Sequence, residues 1–194
     1  MLLARGCAAP EAASLSLRSA LLGIVELMTH ALRSLDSLDL PQVLTLNNEA
    51  VPAVNALDAD SLAALVATAA HSVVVTTVGD VRTVVGFVIG FAPFAEYASE
   101  SYRWFEARSS DFLYVDRIVV APNVRSQGLG EVLYASVFQA AREAHVAEVV
   151  CEVNTFPPNP RSLAFHSRLG FTTIGEQSNK GETVAVALLA ASVS

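Results

Sequence analysis

The chain has 194 residues, a hydrophobic share of 53% and a formal net charge of −7, which suits one α/β domain with a modest extension and enough apolar residues for a full core. The acidic balance argues against general nucleic-acid binding, which relies on basic surfaces, and leans toward cationic or amine partners. No apolar run approaches the roughly 20 residues of a membrane-spanning helix, and Arg5 is followed by no continuous apolar core before a cleavage site, so neither a membrane partner nor a signal peptide is expected.

Residues 1–13 are small, polar and alanine-rich, and are expected to be loosely held. Over 14–35 the spacing of Leu17, Leu21, Val25, Met28, Leu32 and Leu35 predicts an amphipathic helix, capped by Ser14 or Ser16. That helix packs on the domain's own surface or contacts a second copy in a homodimer. Met28 is an alternative point at which the chain could begin. Pro41 marks a boundary, so 1–40 reads as an N-terminal extension and 41–194 as the domain.

Residues 42–46 read as a short strand, with Asn47-Asn48-Glu49 as a polar turn after it. Asp60-Ser61 is expected to cap a helix through Leu62, Leu65, Val66 and Ala69. Two β-branched runs, 72–78 and 81–91, are joined by Gly79-Asp80 and predict a hairpin. Gly86 and Gly90 inside the second run point to a bulge or a close approach by another backbone. Between 93 and 110 the aromatics Phe94, Tyr97, Tyr102, Trp104 and Phe105 gather around a short helix near 100–108. They form either a packed lid or a substrate wall.

The stretch 114–131 carries the strongest signal. Val119 and Val120 suit a buried strand, and Pro122 closes it because it cannot donate to a ladder. Gly128 and Gly130 let the backbone approach whatever sits at the helix start. From Glu131 onward Val132, Leu133, Ser136, Val137, Ala140, Ala141 and Ala144 fall on one stripe. Free N–H groups at a helix start, with Arg125 beside them, make a receptor for an anion such as a phosphate. Taken alone, the motif fits a ligand-free strand-to-helix turn as well. It is not a nucleoside-triphosphate P-loop, since G-x-x-x-x-G-K-[S/T] is missing, nor a Rossmann fingerprint, since Gly128-Leu129-Gly130 lacks the third glycine.

Residues 147–153 predict another buried strand, followed by a stiff loop with three prolines. Asn159 before Pro160 predicts a cap with proline at the first helical position, and Gly170 ends that helix. A closing hairpin over 171–176 and 182–189 turns at Asn179-Lys180-Gly181. The two cysteines, Cys7 and Cys151, have no metal-ligand spacing, so no metal is expected. Cys151 reads as a buried free thiol in a reducing cytoplasm.

The turn Arg125-Ser126-Gln127-Gly128-Leu129-Gly130, and the later Ser162-Leu163-Ala164-Phe165-His166-Ser167-Arg168-Leu169-Gly170-Phe171, resemble two blocks of the GNAT superfamily of acyl-CoA N-acyltransferases. The first is similar to its R-x-x-G-x-G/A signature, the second to its N-x-x-A/S-x-x-F/Y-Y-x-x-x-G-F block. The resemblance runs over about 43–189 and is greatest to small bacterial members. It implies a mixed, mostly antiparallel α/β sheet of six or seven strands, splayed at the centre and flanked by helices, to which this chain adds its N-terminal helix.

It further implies that acetyl-CoA is the cosubstrate. The amides of Gln127, Gly128, Leu129 and Gly130, with Arg125 and Ser126, would hold its pyrophosphate. The edge formed by Ile118, Val119 and Val120 would pair with the pantetheine arm, and Asn159, Ser162 and Phe165 would flank it, with Asn154 a second candidate because the proline loop is long. The family often has a tyrosine where this chain has His166, and the hydroxyl protonates the leaving thiolate. Histidine can do the same near neutral pH.

Acyl transfer also requires the amine to lose a proton, which a carboxylate can take directly or through water. Asp116 and Glu152 are the candidates, because each is a charge inside an otherwise apolar strand. The alternative for Asp116 is a structural pairing with Arg117 or Arg103, and Glu49 is a candidate anchor for a cationic substrate. The leading expectation is an acetyl-CoA-dependent N-acetyltransferase acting on a primary amine of a small molecule or peptide. The alternatives are a non-catalytic acyl-CoA-binding regulatory module and a protein N-terminus acetyltransferase.

Overall fold

The computed structural model describes residues 30–179 and 183–193. Among these, seven strands form one sheet: β1 (His30–Ser34), β2 (His71–Thr77), β3 (Asp80–Phe91), β4 (Phe112–Val120), β5 (Glu148–Phe156), β6 (Thr172–Asn179) and β7 (Val184–Ser192). The spatial order is β1-β2-β3-β4-β5-β7-β6. Every neighbouring pair is antiparallel except β4 and β5. That parallel pair needs a crossover, which the helix between them supplies.

Five α-helices flank the sheet: α1 (Leu40–Glu49), α2 (Ala59–Thr68), α3 (Glu100–Arg108), α4 (Leu129–Glu143) and α5 (Pro160–Arg168). α4 and α5 cover one face, where Leu129, Leu133, Val137 and Ala141 pack on Leu113, Val115, Val149, Cys151 and Val153. Val43 of α1, Leu62 of α2 and Tyr102 and Phe105 of α3 pack on the other, against Val74, Phe87, Ile89, Tyr114 and Leu188. Leu133 and Val137 have no exposed surface, and burying each stabilises the fold by about 1.5–3 kcal/mol.

Several elements form as the local chemistry dictates. Gly79 turns the β2–β3 hairpin at a φ of 89°. The α2 cap is Asp58, whose carboxylate accepts from the amide of Ser61, two residues earlier than the expected cap Asp60. Asn159 caps α5 by accepting from the Ser162 amide, with Pro160 at the helix start. Cys151 is a buried free thiol. The close approaches expected at Gly86 and Gly90 are both present. A Cβ on Gly86 would lie 3.0 Å from the Val119 carbonyl oxygen, and one on Gly90 2.9 Å from that of Tyr114.

Two expectations fail. Residues 42–46 are helical, within α1: Val43 and Asn47, four apart, are both fully buried, as one helix face requires. The helix expected over 14–35 does not include His30–Ser34, which is strand β1, paired with β2 from His30↔Thr77 to Ser34↔Val73. The sheet therefore begins upstream of residue 41. Residues 1–29, with Cys7 and the rest of the predicted N-terminal helix, lie outside the described residues, as do Lys180 and Gly181 of the closing turn.

Candidate active site

The sheet opens where β4 and β5 part. They pair from Phe112↔Glu148 to Val115↔Cys151 and no further. β4 runs on to Val120 paired only with β3, while β5 stays bound to β7 through Phe156. The cause lies on the far edge of β4. Ile89 faces Arg117 and Gly90 faces Val115, so Asp116 is the extra residue of a β-bulge. Beyond it the side chains change phase: Leu113 and Val115 point to the α4 face before the bulge, Ile118 and Val120 after it. The bulge bends the strand away from its parallel neighbour at the residue where pairing stops.

A cleft of about 780 Å³ fills this fork. One wall is the free end of β4 and the turn into α4. Ser126 and Gly128 both take positive φ, 66° and 78°. Gly128 is the N-cap of α4 and supplies no capping side chain, so the first amides of the helix, at Leu129 and Gly130, face the cleft with the positive end of the helix dipole behind them. The other wall is α5. The Phe165 ring packs so closely on Gly130 that a Cβ there would lie 2.9 Å from its Cζ. Arg125, Arg161 and Arg168 all border the cleft. Arg125 donates from Nε to the Val120 carbonyl oxygen at 3.1 Å.

Of the residues singled out from sequence, the structure brings Asp116, Ile118, Val119, Val120, Arg125, Ser126, Gly128, Leu129, Gly130, Glu152, Asn159, Ser162, Phe165 and His166 around this one cleft. Three are placed elsewhere. Gln127 is exposed and outside the lining, so only its main chain belongs to the turn. Asn154 instead donates to the Pro52 carbonyl oxygen at 3.0 Å, tying β5 to the α1–α2 loop. Glu49 ends α1 on the exposed surface. The aromatics of 93–110 do not line the cleft. Tyr102 and Phe105 are fully buried, Trp104 lies against Gly175, and Phe94 is exposed on the surface.

The two carboxylates occupy the first position of each strand past the fork, in different company. Asp116 accepts from the Tyr97 hydroxyl and, at 2.5 Å, from Arg117 Nε. Arg117 is itself buried and reaches Asn47 and Asn55 at 2.9 and 3.2 Å. Asp116 is thus an internal counter-ion with both oxygens engaged, the pairing with Arg117 that the sequence left open. Glu152 accepts from the Tyr114 hydroxyl at 2.6 Å through Oε2. Part of its surface meets the cleft, yet the protein closes around it enough that burial, then the nearby Asp116 charge, pushes its pKa up to about 8. A carboxylate with that affinity can take a proton from an alkylammonium and release it to water.

His166 sits deep, 3% exposed. Its Nδ1 lies 2.8 Å from the Ser162 carbonyl oxygen and 3.3 Å from Ser162 Oγ, while Nε2 lies 2.6 Å from the hydroxyl of Tyr134. Burial lowers its pKa and favours the neutral ring. Tyr134, Arg161, Arg168 and the small α1–α2 loop residues Ala50, Ala53 and Val54 line the cleft without having been singled out. Tyr134 was missed because it interrupts an otherwise aliphatic stripe and reads as packing. The loop residues have no chemistry to flag them.

The residues present fit an elongated ligand with a diphosphate at one end and a reactive carbonyl at the other. Uncapped amides and arginines stand at the mouth, an unpaired strand edge runs down one wall, and a proton acceptor sits at the fork. The family described as Acetyltransferase (GNAT) family matches residues 31–171. A comparison with curated proteins finds no match. Among solved structures, the ribosomal-protein-S18-alanine N-acetyltransferase from Escherichia coli superposes with a TM-score of 0.66 at 19% identity, covering 85% of this chain and 94% of that one. Ard1 from Thermoplasma volcanium gives 0.70 at 17% identity, covering 86% and 99%. The structure of yncA from Salmonella typhimurium "with its cofactor Acetyl-CoA" gives 0.64 at 17%, covering 85% and 94%.

Proposed function

The chain belongs to the GNAT acetyltransferase family, and from that premise we propose that it moves an acetyl group from acetyl-CoA to a primary amine of a small molecule or peptide by direct attack on the thioester. The observation that carries this reading is the fork itself: β4 and β5 part after Val115↔Cys151, beside a helix start with no capping side chain. The amides of Leu129 and Gly130, helped by Arg125, hold the diphosphate. The free edge of Ile118–Val120 offers main-chain hydrogen bonds to the pantetheine arm, as an added strand would receive them.

Glu152 is the general base in this reading. It takes the proton that the amine must lose before its lone pair can reach the carbonyl carbon. Asp116, already held by Tyr97 and Arg117, acts on Glu152 through its charge. The cleft wall on the α1 side is Ala50, Ala53 and Val54, which suits an amine whose neighbouring substituent is small and apolar. No covalent enzyme intermediate is needed, so Cys151 keeps a packing role.

A panel of amines and short peptides, tested with purified protein and acetyl-CoA and read by free-thiol release, tests this. Turnover on at least one amine is expected. Coenzyme A binding with no turnover on any amine would point instead to an acyl-CoA-binding regulatory module. No binding would remove both readings.

A further inference from the structure

We propose that Tyr134 of α4, and not His166, presents the proton that the departing sulfur takes, with His166 as the positioning residue that holds the Tyr134 hydroxyl at the cleft. This rests on the acyl-transfer reading above. A thiolate expelled into the fork, beside the Asp116 and Glu152 carboxylates, needs a hydrogen-bond donor as its charge develops. At the α4–α5 side of the fork the candidates are the imidazole of His166 and the phenol of Tyr134, both of which line the cleft.

The partners of His166 decide between them. A carbonyl oxygen can only accept, so the 2.8 Å contact with the Ser162 carbonyl places the ring's proton on Nδ1, pointed into the main chain of α5. Burial lowers the affinity for a second proton, so Nε2 carries a lone pair. The 2.6 Å contact with Tyr134 is then an O–H donated by the tyrosine. Of the His166–Tyr134 pair, the transferable proton therefore sits on the phenol, while the neighbouring Cys151 thiol, which also meets the Tyr134 hydroxyl, is held protonated by burial.

The surroundings hold it there. The Tyr134 ring packs edge-on against His166 and Phe171, both at 5.3 Å between centroids, and tilted against Phe165 at 5.9 Å. Burial also raises the phenol's pKa well above its ordinary value, so it stays protonated near neutral pH. In the step itself the N–C bond forms, the C–S bond breaks, and its electron pair stays on sulfur. Tyr134 turns its O–H from His166 to the sulfur and gives up the proton. Glu152 has already taken one proton from the alkylammonium and released it to water. The second N–H proton, lost as the amide forms, leaves by the same carboxylate, and water restores the phenol, so each ammonium converted to amide and thiol releases one proton to solvent.

Tyr134→Phe removes one oxygen and keeps the ring contacts. It is expected to lower kcat on any amine accepted by about 100-fold while the coenzyme A dissociation constant, measured by calorimetry, stays within about two-fold of the parent. His166→Gln, whose side-chain carbonyl can still accept from Tyr134, should keep at least about a tenth of the parent rate, and His166→Phe should fall with Tyr134→Phe. Nitrogen-15 spectra of the histidine rings, which need no acceptor, should show His166 protonated at Nδ1 with an Nε2 signal that moves in Tyr134→Phe. A full rate in Tyr134→Phe, equal losses of kcat and coenzyme A affinity, or a His166 ring protonated at Nε2 would each overturn the assignment. Wild-type binding and turnover stand apart from all three, so failure here is distinguishable from failure of the acyl-transfer reading.

Discussion

Glu152 and Asp116 are both acidic, both one step past the fork, and opposite in consequence. Glu152 must be ionised to accept a proton, and with a pKa of about 8 only about a tenth of it is ionised at pH 7. Turnover should therefore rise as pH rises through about 8, and Glu152→Gln should lose that limb together with most of kcat while binding coenzyme A normally. A pH–rate series on saturating substrates checks this, and a limb that survives in Glu152→Gln assigns it to another group. The same shift bears on stability. The unfolded carboxyl titrates near about 4.3, so between there and pH 8 the native state binds the extra proton and stability falls as pH rises. Glu152→Gln keeps the Tyr114 hydroxyl partnered and should flatten the curve of Tm against pH, making the variant the more stable form above pH 8. Asp116 makes the contrasting case. Arg117→Met would leave its carboxylate buried without a counter-ion, at a cost of about 3–5 kcal/mol, measurable by urea unfolding. A cost under about 1 kcal/mol would mean that the pair is a surface one in effect. The sequence displayed both acids, since a charge in an apolar strand is expensive. It could not say which was paired, because that depends on a bulge one residue wide and on Tyr97 and Asn47 from distant segments. His166 was legible as a departure from the family pattern, but its tautomer depends on Tyr134, thirty-two residues away.

At the scale of elements, the β4 bulge and the α4 start shape the site. Gly90 allows the first: its missing Cβ leaves room for the Tyr114 carbonyl, at 2.9 Å, and a backbone atom cannot swing aside as a side chain does. Gly90→Ala should cost about 1–3 kcal/mol, read from the urea midpoint, and an unchanged midpoint would mean that the bulge does not depend on this contact. Gly128 serves the second. At φ 78° a side chain is strained, although the nearest atom to its Cβ position, Glu131 Oε2, is 3.6 Å away, so Gly128→Glu should fold. Its carboxylate would face the amides meant for phosphate, and coenzyme A affinity should fall on the order of 100-fold. Affinity within two-fold of the parent would assign the diphosphate to another turn. The glycines, the hairpin and the Asn159-Pro160 cap were readable because each meets a local backbone requirement. α1 and β1 were not. Gln42 to Leu46 is short, mostly apolar and contains β-branched Val43 and Thr45, as a strand can, and burial of Val43 and Asn47 on one side shows it as a helix. His30–Ser34 continues a three-and-four spacing of leucines, and what makes it a strand is the free edge of β2, which no local pattern announces.

Across the whole molecule the charge is acidic, −7 over 194 residues, yet the cleft holds both signs of charge. Arg125, Arg161 and Arg168 border the cleft with Glu131 and the start of α4, while Glu152 and the Asp116–Arg117 pair lie at the fork. Among the described residues no helix is long and apolar enough to cross a membrane. The most direct measurement is a titration of nitrogen-15-labelled protein with coenzyme A, following the amides. Saturable shifts should concentrate in Ser126–Gly130 and along Ile118–Val120, with smaller changes at Phe165 and Glu152. Saturable shifts that spare the turn and the β4 edge, or no shifts at millimolar coenzyme A, would contradict a diphosphate held at the start of α4 and a cosubstrate lying in the fork.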